Sequence, residues 1–243
     1  MKAIVLAAGR GERMRPLSDA TPKPLLVVHG KPLIAWHLEA LARGGVREVV
    51  VNTAWLEDAI VATLGDGSRY GVAITYSLEG RDHGGALETA GGIAKALHLL
   101  GAAFWVVSAD VYAPDFRYSA KVADEFVASG QLGRLWLVPN PRFHPGGDFG
   151  LGADGLGLAD ATGPDGQRWT YANIALLRAE MFAAIAPGTK APLAPLLYAG
   201  MRERRIAAEI YRGRWDNVGT PEQLEALNAS SSGGAHASVA PAA

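Results

Sequence analysis

The chain has 243 residues, 49% of them hydrophobic, and a formal net charge of −1. That length supplies one large core or two small ones, and the near-zero charge excludes a global attraction to nucleic acid or an anionic membrane surface. It contains no cysteine, which excludes disulfides, thiolate metal sites and cysteine nucleophiles.

The first apolar run, Ala3 to Gly9, is too short for a signal-peptide core and is followed at once by charges. No stretch approaches the roughly 20 apolar residues of a membrane span. The expectation is therefore a soluble cytoplasmic protein. "AIVLAA" (Ala3 to Ala8) reads as a buried strand. Leu33, Ile34, His37, Leu38 and Leu41 share one face of a predicted helix that Gly44 ends. "EVVVN" (Glu48 to Asn52) is a second strand, and "WLEDAIVATLG" is a helix stopped by Gly65. "VAITYS" (Val72 to Ser77) is a third strand, followed by a glycine-rich loop and a helix from about Leu87 to Leu100. "AFWVVSAD" (Ala103 to Asp110) is a fourth strand that runs into an acid.

The second half is less regular. It offers strands at Arg134 to Asn140, Tyr171 to Arg178 and Ile206 to Tyr211, and a hairpin in "GDFGLGADGLGLAD". "PLAPLLYAGMRERR" is helical after its prolines. A last helix opens at "GTPEQLEALNA", with Thr220 as cap, Pro221 in the first turn and Gln223 at the capping-box position. "SSSGGAHASVAPAA", residues 230–243, has no apolar face to bury and reads as a disordered tail. Strand–helix alternation predicts an α/β fold with a parallel sheet covered on both faces, and ligands at the carboxyl ends of its strands. Residues 1–229 read as one domain, with no repeat and no clear linker.

"LAAGRGERMRPLSDATPKPL" (Leu6 to Leu25) is the most informative stretch. It fails as a dinucleotide fingerprint. Met14 stands where a third glycine belongs, Pro16 interrupts the helix, and no acid ends the second strand. No Walker loop occurs anywhere in the chain. A phosphate cradle of another kind fits better. Gly9 and Gly11 let backbone N–H groups approach phosphate oxygens, and Arg13, Arg15 and Lys23 supply charged donors. Pro16, Pro22 and Pro24 stiffen the loop and lower the entropy lost on binding. An ordinary solvated surface loop would leave those strand-end glycines and the proline-flanked Lys23 unexplained.

Several later residues carry weaker signals. Asp110 ends a strand, and Asp216 lies in "WDNVGT" between a strand and a capped helix. Taken alone, each reads as a cap or turn acid. In "EGRDHGGALETAGG", the small Gly91 and Gly92 would admit a flat base, and Glu88 could accept from a ribose or sugar hydroxyl or a base N–H. Thr89 as a helix cap is the plainer alternative. Asn140, Asp148 and Asn173 are of the types that read hydroxyl and acetamido groups, though each alone is a common turn residue. His83 and His144 sit on polar loops with no histidine cluster around them, so they read as rim residues and not metal ligands.

The opening loop together with "TPKPLLVVHGKPLI" (Thr21 to Ile34) resembles the signature of the sugar-nucleotide pyrophosphorylases, nucleotidyltransferases that join a nucleoside triphosphate to a sugar 1-phosphate. The resemblance extends to about Asn228. "NTAWL", "LGDGSRYGV", "YSLEG", "LETAGGIAKAL", "GDFGL" and "YRGRWDNVGTPEQL" are similar to the branch that transfers uridylyl groups to an amino-sugar 1-phosphate of bacterial cell walls. The resemblance implies a Rossmann-like three-layer αβα fold with a mixed, mostly parallel central sheet. It further implies a nucleotide-binding part over about residues 1–112 and a sugar-phosphate part over about 113–229. Implied substrates are UTP and a sugar 1-phosphate, and a monomer is expected.

By the same resemblance, Asp110 and Asp216 hold Mg²⁺. Arg13 serves the triphosphate and leaving group, and Lys23 the reacting phosphates. Ala8, Gly9, Gly11, Glu12, Glu88, Gly91 and Gly92 contact the nucleotide; Ser108, Asn140, Asp148, Asn173 and Asp216 contact the sugar. Three departures from the family pattern stand out: "SADVY" in place of an Asn-Gly-Asp-x-Trp run, Ala90 where a glycine is common, and extra residues at Arg81 to Gly85. The alternatives are the same reaction on mannose, glucose or heptose 1-phosphate with GTP, dTTP or ATP, an idle sugar-nucleotide sensor, and a nucleotide-binding oxidoreductase. The last lacks its third glycine and ribose acid.

Overall fold

The computed structural model describes residues 1–230. Seven strands make the central sheet: β1 (Lys2–Leu6), β2 (Glu48–Thr53), β3 (Ala73–Leu78), β4 (Ala103–Ser108), β5 (Gly133–Val138), β6 (Thr170–Arg178) and β7 (Ile206–Ile210). Their spatial order is β7-β5-β6-β4-β1-β2-β3. Neighbours run parallel except at β6, which is antiparallel to both β4 and β5.

The unbroken apolar runs of the strands follow from burial on both faces. Side chains alternate between two cores. Ala3, Val5, Val49, Val51, Trp105 and Val107 enter one, and Ile4, Val50, Phe104 and Val106 enter the other. Helices α1 (Leu33–Arg43), α2 (Glu57–Leu64) and α4 (Ala120–Ser129) cover the first core, with Leu38, Ile60 and Phe126 pointing in. Helices α3 (Glu88–Ala96) and α5 (Ala194–Arg202) cover the second through Ile93 and Leu197. Each such side chain contributes about 1.5–3 kcal/mol by leaving water. This is the expected three-layer αβα arrangement, and both halves of the chain supply strands to the one sheet.

A smaller third core joins distant segments. Met14 from the opening loop, Leu33 and Tyr112 pack with Val218, Leu224 and Leu227 at the far end of the described chain. The last helix, α6 (Pro221–Ala229), carries the expected capping box between Thr220 and Gln223. It is tied to the opening segment by Asn228, whose amide donates to Val27 O at 2.9 Å and accepts from His29 N at 2.8 Å.

Element ends differ from expectation where the chain leaves the sheet. β1 ends at Leu6, and the next amide, Ala7 N–H, is shared between the Asn52 carbonyl at 3.2 Å and the Asn52 side-chain oxygen at 2.8 Å. β4 stops at Ser108, and Asp110 sits in the turn before a two-residue strand, Val111–Tyr112. The helix expected to reach Leu100 ends at Ala96 and tightens into a 3₁₀ turn, Leu97–Leu99. The hairpin pairs Gly150–Leu151 with Gly157–Leu158. After Ser230, the expected tail lies outside the described residues.

Candidate active site

Strand order reverses between β1 and β4, so a crevice opens at their carboxyl ends. β6 runs the other way and brings its amino end, Thr170 and Tyr171, to the same edge. A cleft of about 670 Å³ fills this crevice. Two smaller cavities adjoin it, one of about 260 Å³ under the opening loop and one of about 380 Å³ beside Trp215.

The opening loop forms one wall. Ala8 and Gly9 line the cleft, and Gly9 faces open space where a Cβ would stand. Gly11 takes a left-handed conformation (φ +68°), which lets its carbonyl accept from Ser18 Oγ at 2.8 Å. The loop's cations then sort themselves. Arg10 stacks over Trp55 at 3.5 Å and pairs with Asp19 at 2.9 Å. Arg15 pairs with the same Asp19 at 2.9 Å, and the hydrogen bonds from Arg10 and Arg15 hold that carboxyl below its ordinary range. Arg13 alone among them is exposed with no carboxylate within ion-pair distance among the described residues. It lines the small cavity with Gly9, Gly11, Glu12 and Lys23.

Asp110 forms the floor of that cavity. Lys23 Nζ donates to its Oδ2 at 2.7 Å, and Ser108 Oγ donates to its Oδ1 at 2.7 Å. Burial pushes against ionisation, but the Lys23 charge and the Lys23 and Ser108 hydrogen bonds prevail and keep the carboxyl below its usual range. The next residue is fixed from beneath. His37 Nε2 is 2.6 Å from Val111 O, and His37 Nδ1 is 3.1 Å from the Tyr118 hydroxyl. Burial lowers this imidazole to about 4, so it is neutral at physiological pH. It donates at Nε2 and accepts at Nδ1.

The two expected metal acids stand on neighbouring backbone, and their side chains line different cavities. Residues 216 and 217 form a short strand antiparallel to Val111–Tyr112, and Val218 N–H donates to Asp110 O at 2.9 Å. Alternation along that strand then separates neighbours. Asp216 lines the cavity beside Trp215, 3.6 Å from Arg214 Nε, while Asn217 borders that cavity and also reaches the main cleft. Among the described residues, no group of three His, Cys, Asp or Glu side chains gathers as a metal cage. The oxygen donors present, the Asp110 carboxylate and the Asn217 amide, suit a hard cation that takes most of its ligands from phosphate and water.

Gly91 and Gly92 have a different task from the expected one. Neither lines the cleft. A Cβ on Gly91 would strike Thr189 O, and one on Gly92 would strike Glu79 Oε1 and lie 2.7 Å from Asn52 Nδ2. They are packing glycines on the buried face of α3. Glu88 does line the cleft, with Thr89, and it is held at φ +61°, a conformation that costs a non-glycine residue energy and recurs at functional sites. The extra residues from Arg81 fall largely in a helical turn, Glu79–His83.

Ser108, Asp148 and Asn173, the residues expected at the sugar, line the cleft. Asn173 sits at φ +56° in a register shift of β6 against β5. Asp148 accepts from Tyr171 N–H at 2.7 Å and meets His144 Nε2 at 3.1 Å, which makes His144 a cleft residue. Asn140 is not in the cleft. Its amide donates to Pro145 O and Arg168 O at 3.0 and 2.9 Å, and its oxygen accepts from Thr170 Oγ1 at 2.9 Å, so it staples a loop. Sequence reasoning missed Asn52, Asn217, Phe143, Tyr171 and Trp215, which all face the cleft. Asn52 had a signal: it is a polar residue among the last positions of a buried parallel strand.

Known proteins are similar to this chain in sequence and in fold. Residues 2–150 match the model of the nucleotidyl transferase family. The chain is 48% identical to an N-acetylmuramate alpha-1-phosphate uridylyltransferase of Neisseria meningitidis, over 94% of this chain and 97% of that protein. It is 32% identical to a protein of the same name from Caulobacter vibrioides, over 93% and 95% of the two chains. In three dimensions it is similar to a putative glucose-1-phosphate thymidylyltransferase of Bacillus anthracis, with a TM-score of 0.77, 20% identity and 94% of each chain covered. The chain belongs to the nucleotidyltransferase family.

Proposed function

We propose that the enzyme transfers a uridylyl group from UTP to N-acetylmuramic acid α-1-phosphate, releasing pyrophosphate, as a step in the reuse of cell-wall sugars in the cytoplasm. The observation that carries this reading is the convergence of Arg13, Lys23 and Asp110 on one small cavity beneath the open face of Gly9. The near-full-length relatives bearing that activity support the choice of substrates.

In this reading, a sugar 1-phosphate oxygen attacks the α-phosphorus of UTP while the bond to the β-phosphate breaks and pyrophosphate departs. The attacking oxygen is already anionic, so no strong base is required. The barrier lies in joining two anions, and positioned cations lower it. Lys23 meets the reacting phosphates, and Arg13, exposed at the rim, follows charge onto the leaving group. A magnesium ion bound at Asp110 and Asn217 would offset the triphosphate charge. Ser108 donates to Asp110, so its oxygen keeps lone pairs for a substrate N–H or O–H.

The sugar end has walls of Phe143, Phe149, Tyr171, Leu193 and Tyr198. They suit a substituted sugar with acetyl and ether-linked groups, with Asp148, His144 and Asn173 as polar contacts. Glu88 is placed for the ribose or base. The test is pyrophosphate release over a matrix of sugar 1-phosphates (N-acetylmuramic acid, glucose, mannose, heptose) and UTP, GTP, dTTP and ATP. The proposal expects the first of each list to give the largest kcat/KM, and a larger value for any other pair overturns it.

A further inference from the structure

Two polar side chains are almost completely buried: Asn52, in the wall of the cleft, at 2% exposure, and its partner Glu79 at 0%. They form a continuous run of hydrogen bonds between two loops. Ala7 N–H donates to Asn52 Oδ1 at 2.8 Å, Asn52 Nδ2 donates to Glu79 Oε1 at 2.6 Å, and Leu87 N–H donates to Glu79 Oε2 at 2.8 Å. Ala7 opens the glycine loop. Leu87 immediately precedes Glu88, the residue held at φ +61° in the cleft. The run is packed tightly enough that Gly92 has no room for a methyl group beside it.

We propose that Asn52 and Glu79 are positioning residues that fix the spacing between the glycine loop and the Glu88 turn, and that the link requires one carboxylate among its two side chains. The inference rests on the reading above that those two loops hold a nucleoside triphosphate.

The requirement follows from counting donors. Both ends of the run are backbone N–H groups, which only donate; Ala7 N–H also reaches the Asn52 carbonyl at 3.2 Å, whereas Leu87 N–H is served by Glu79. An amide side chain has one accepting and one donating end; a carboxylate accepts at both. One amide and one carboxylate therefore satisfy all three bonds. Two amides cannot, in either flip, because a donor then faces a donor at one position. A protonated carboxyl keeps an accepting lone pair on each oxygen, so it meets the count only when its proton turns away from both donors. Which of the two positions carries the carboxylate does not matter to the count. Asn52→Asp combined with Glu79→Gln restores three good bonds. The carboxylate introduced at position 52 accepts from Ala7 N–H and from the amide introduced at position 79, and that amide's oxygen accepts from Leu87 N–H.

The experiment is calorimetric titration of UTP, without sugar phosphate, into wild type, Glu79→Gln, Asn52→Asp and the double variant, with melting temperature and steady-state kinetics for each. Glu79→Gln is expected to weaken nucleotide binding about tenfold, within the effect of a donor left without an acceptor. KM for the nucleotide should rise in step while kcat moves less than about threefold, which separates positioning from chemistry. The double variant should return to within about threefold of wild type.

Wild-type affinity in Glu79→Gln, or a folded double variant no tighter than Glu79→Gln, overturns the proposal. If Glu79→Gln does not fold, the double variant must fold and bind more tightly than Asn52→Asp, and failure there overturns it too. Wild type is titrated first against UTP, GTP, dTTP and ATP. If another nucleotide binds better, the choice of UTP fails separately, and the variants are judged with the better ligand. If none binds, both readings fall.

Discussion

The Lys23 ammonium lies 2.7 Å from the Asp110 carboxylate, although 87 positions separate them in the chain. Both are largely shielded, with side-chain exposures of 11% and 29%. Removing either leaves a charge without its partner, at about 3 kcal/mol or more in a buried setting. Lys23→Ala and Asp110→Asn are each expected to lower turnover at least about a hundredfold, as does loss of other preorganised charge at a transition state. Steady-state pyrophosphate release checks this, and an Asp110→Asn enzyme within threefold of wild type would remove Asp110 from the chemistry.

Asp216 and Asn217 separate by the alternation of a single short strand. Asp216→Asn should leave activity within about threefold. Asn217→Ala should lower it at least about tenfold, the scale of one lost polar contact to charged ligand groups. Parallel assays of the two variants at saturating and limiting Mg²⁺ decide between the neighbours.

His37 sets a pH dependence of stability. Its folded value is about 4 against an ordinary 6.5, so between those pH values the unfolded chain binds a proton that the folded one does not. Stability therefore falls as pH drops from about 6.5 towards 4, by roughly 3 kcal/mol in all. Glu79 opposes this, because burial raises its carboxyl. Urea unfolding at several pH values, comparing wild type with His37→Gln, isolates the imidazole; the variant should show a shallower slope below pH 6.5.

Gly9 and Gly92 differ in what surrounds them, and the same substitution should do opposite things. Gly92→Ala drives a methyl group into Glu79 and Asn52, and overpacking of this kind costs about 1–3 kcal/mol, or several degrees in Tm. Gly9→Ala meets no protein atom, so Tm should hold while nucleotide KM rises. Differential scanning calorimetry with steady-state kinetics on both variants gives the answer.

The layered sheet was legible because each strand is a short apolar run with a helical period on either side, and that pattern has one economical solution. The gathering of Gly9, Gly11, Arg13 and Lys23 round one small cavity was legible for a related reason: they sit on a continuous stretch, so adjacency in sequence stands in for adjacency in space. Asp216 and Asn217 show where that reasoning stops. Choosing between consecutive residues needs the strand's facing, which depends on its pairing with Val111–Tyr112 and not on its own composition. Gly91 and Gly92 show another limit. A glycine that admits a ligand and one that admits a neighbouring backbone look alike until the segment around Thr189 is placed. Asn140 likewise turned out to bond a loop's carbonyls, which a chain read locally does not reveal.

The small core under the opening loop has a consequence for the order of synthesis. Met14 is synthesised well before Leu224 and Leu227, which pack with it. A nascent chain thus carries its opening loop, and much of its sheet, long before the loop has a floor to rest on. The opening loop therefore gains this packing only once the segment from Val218 to Leu227 has been made.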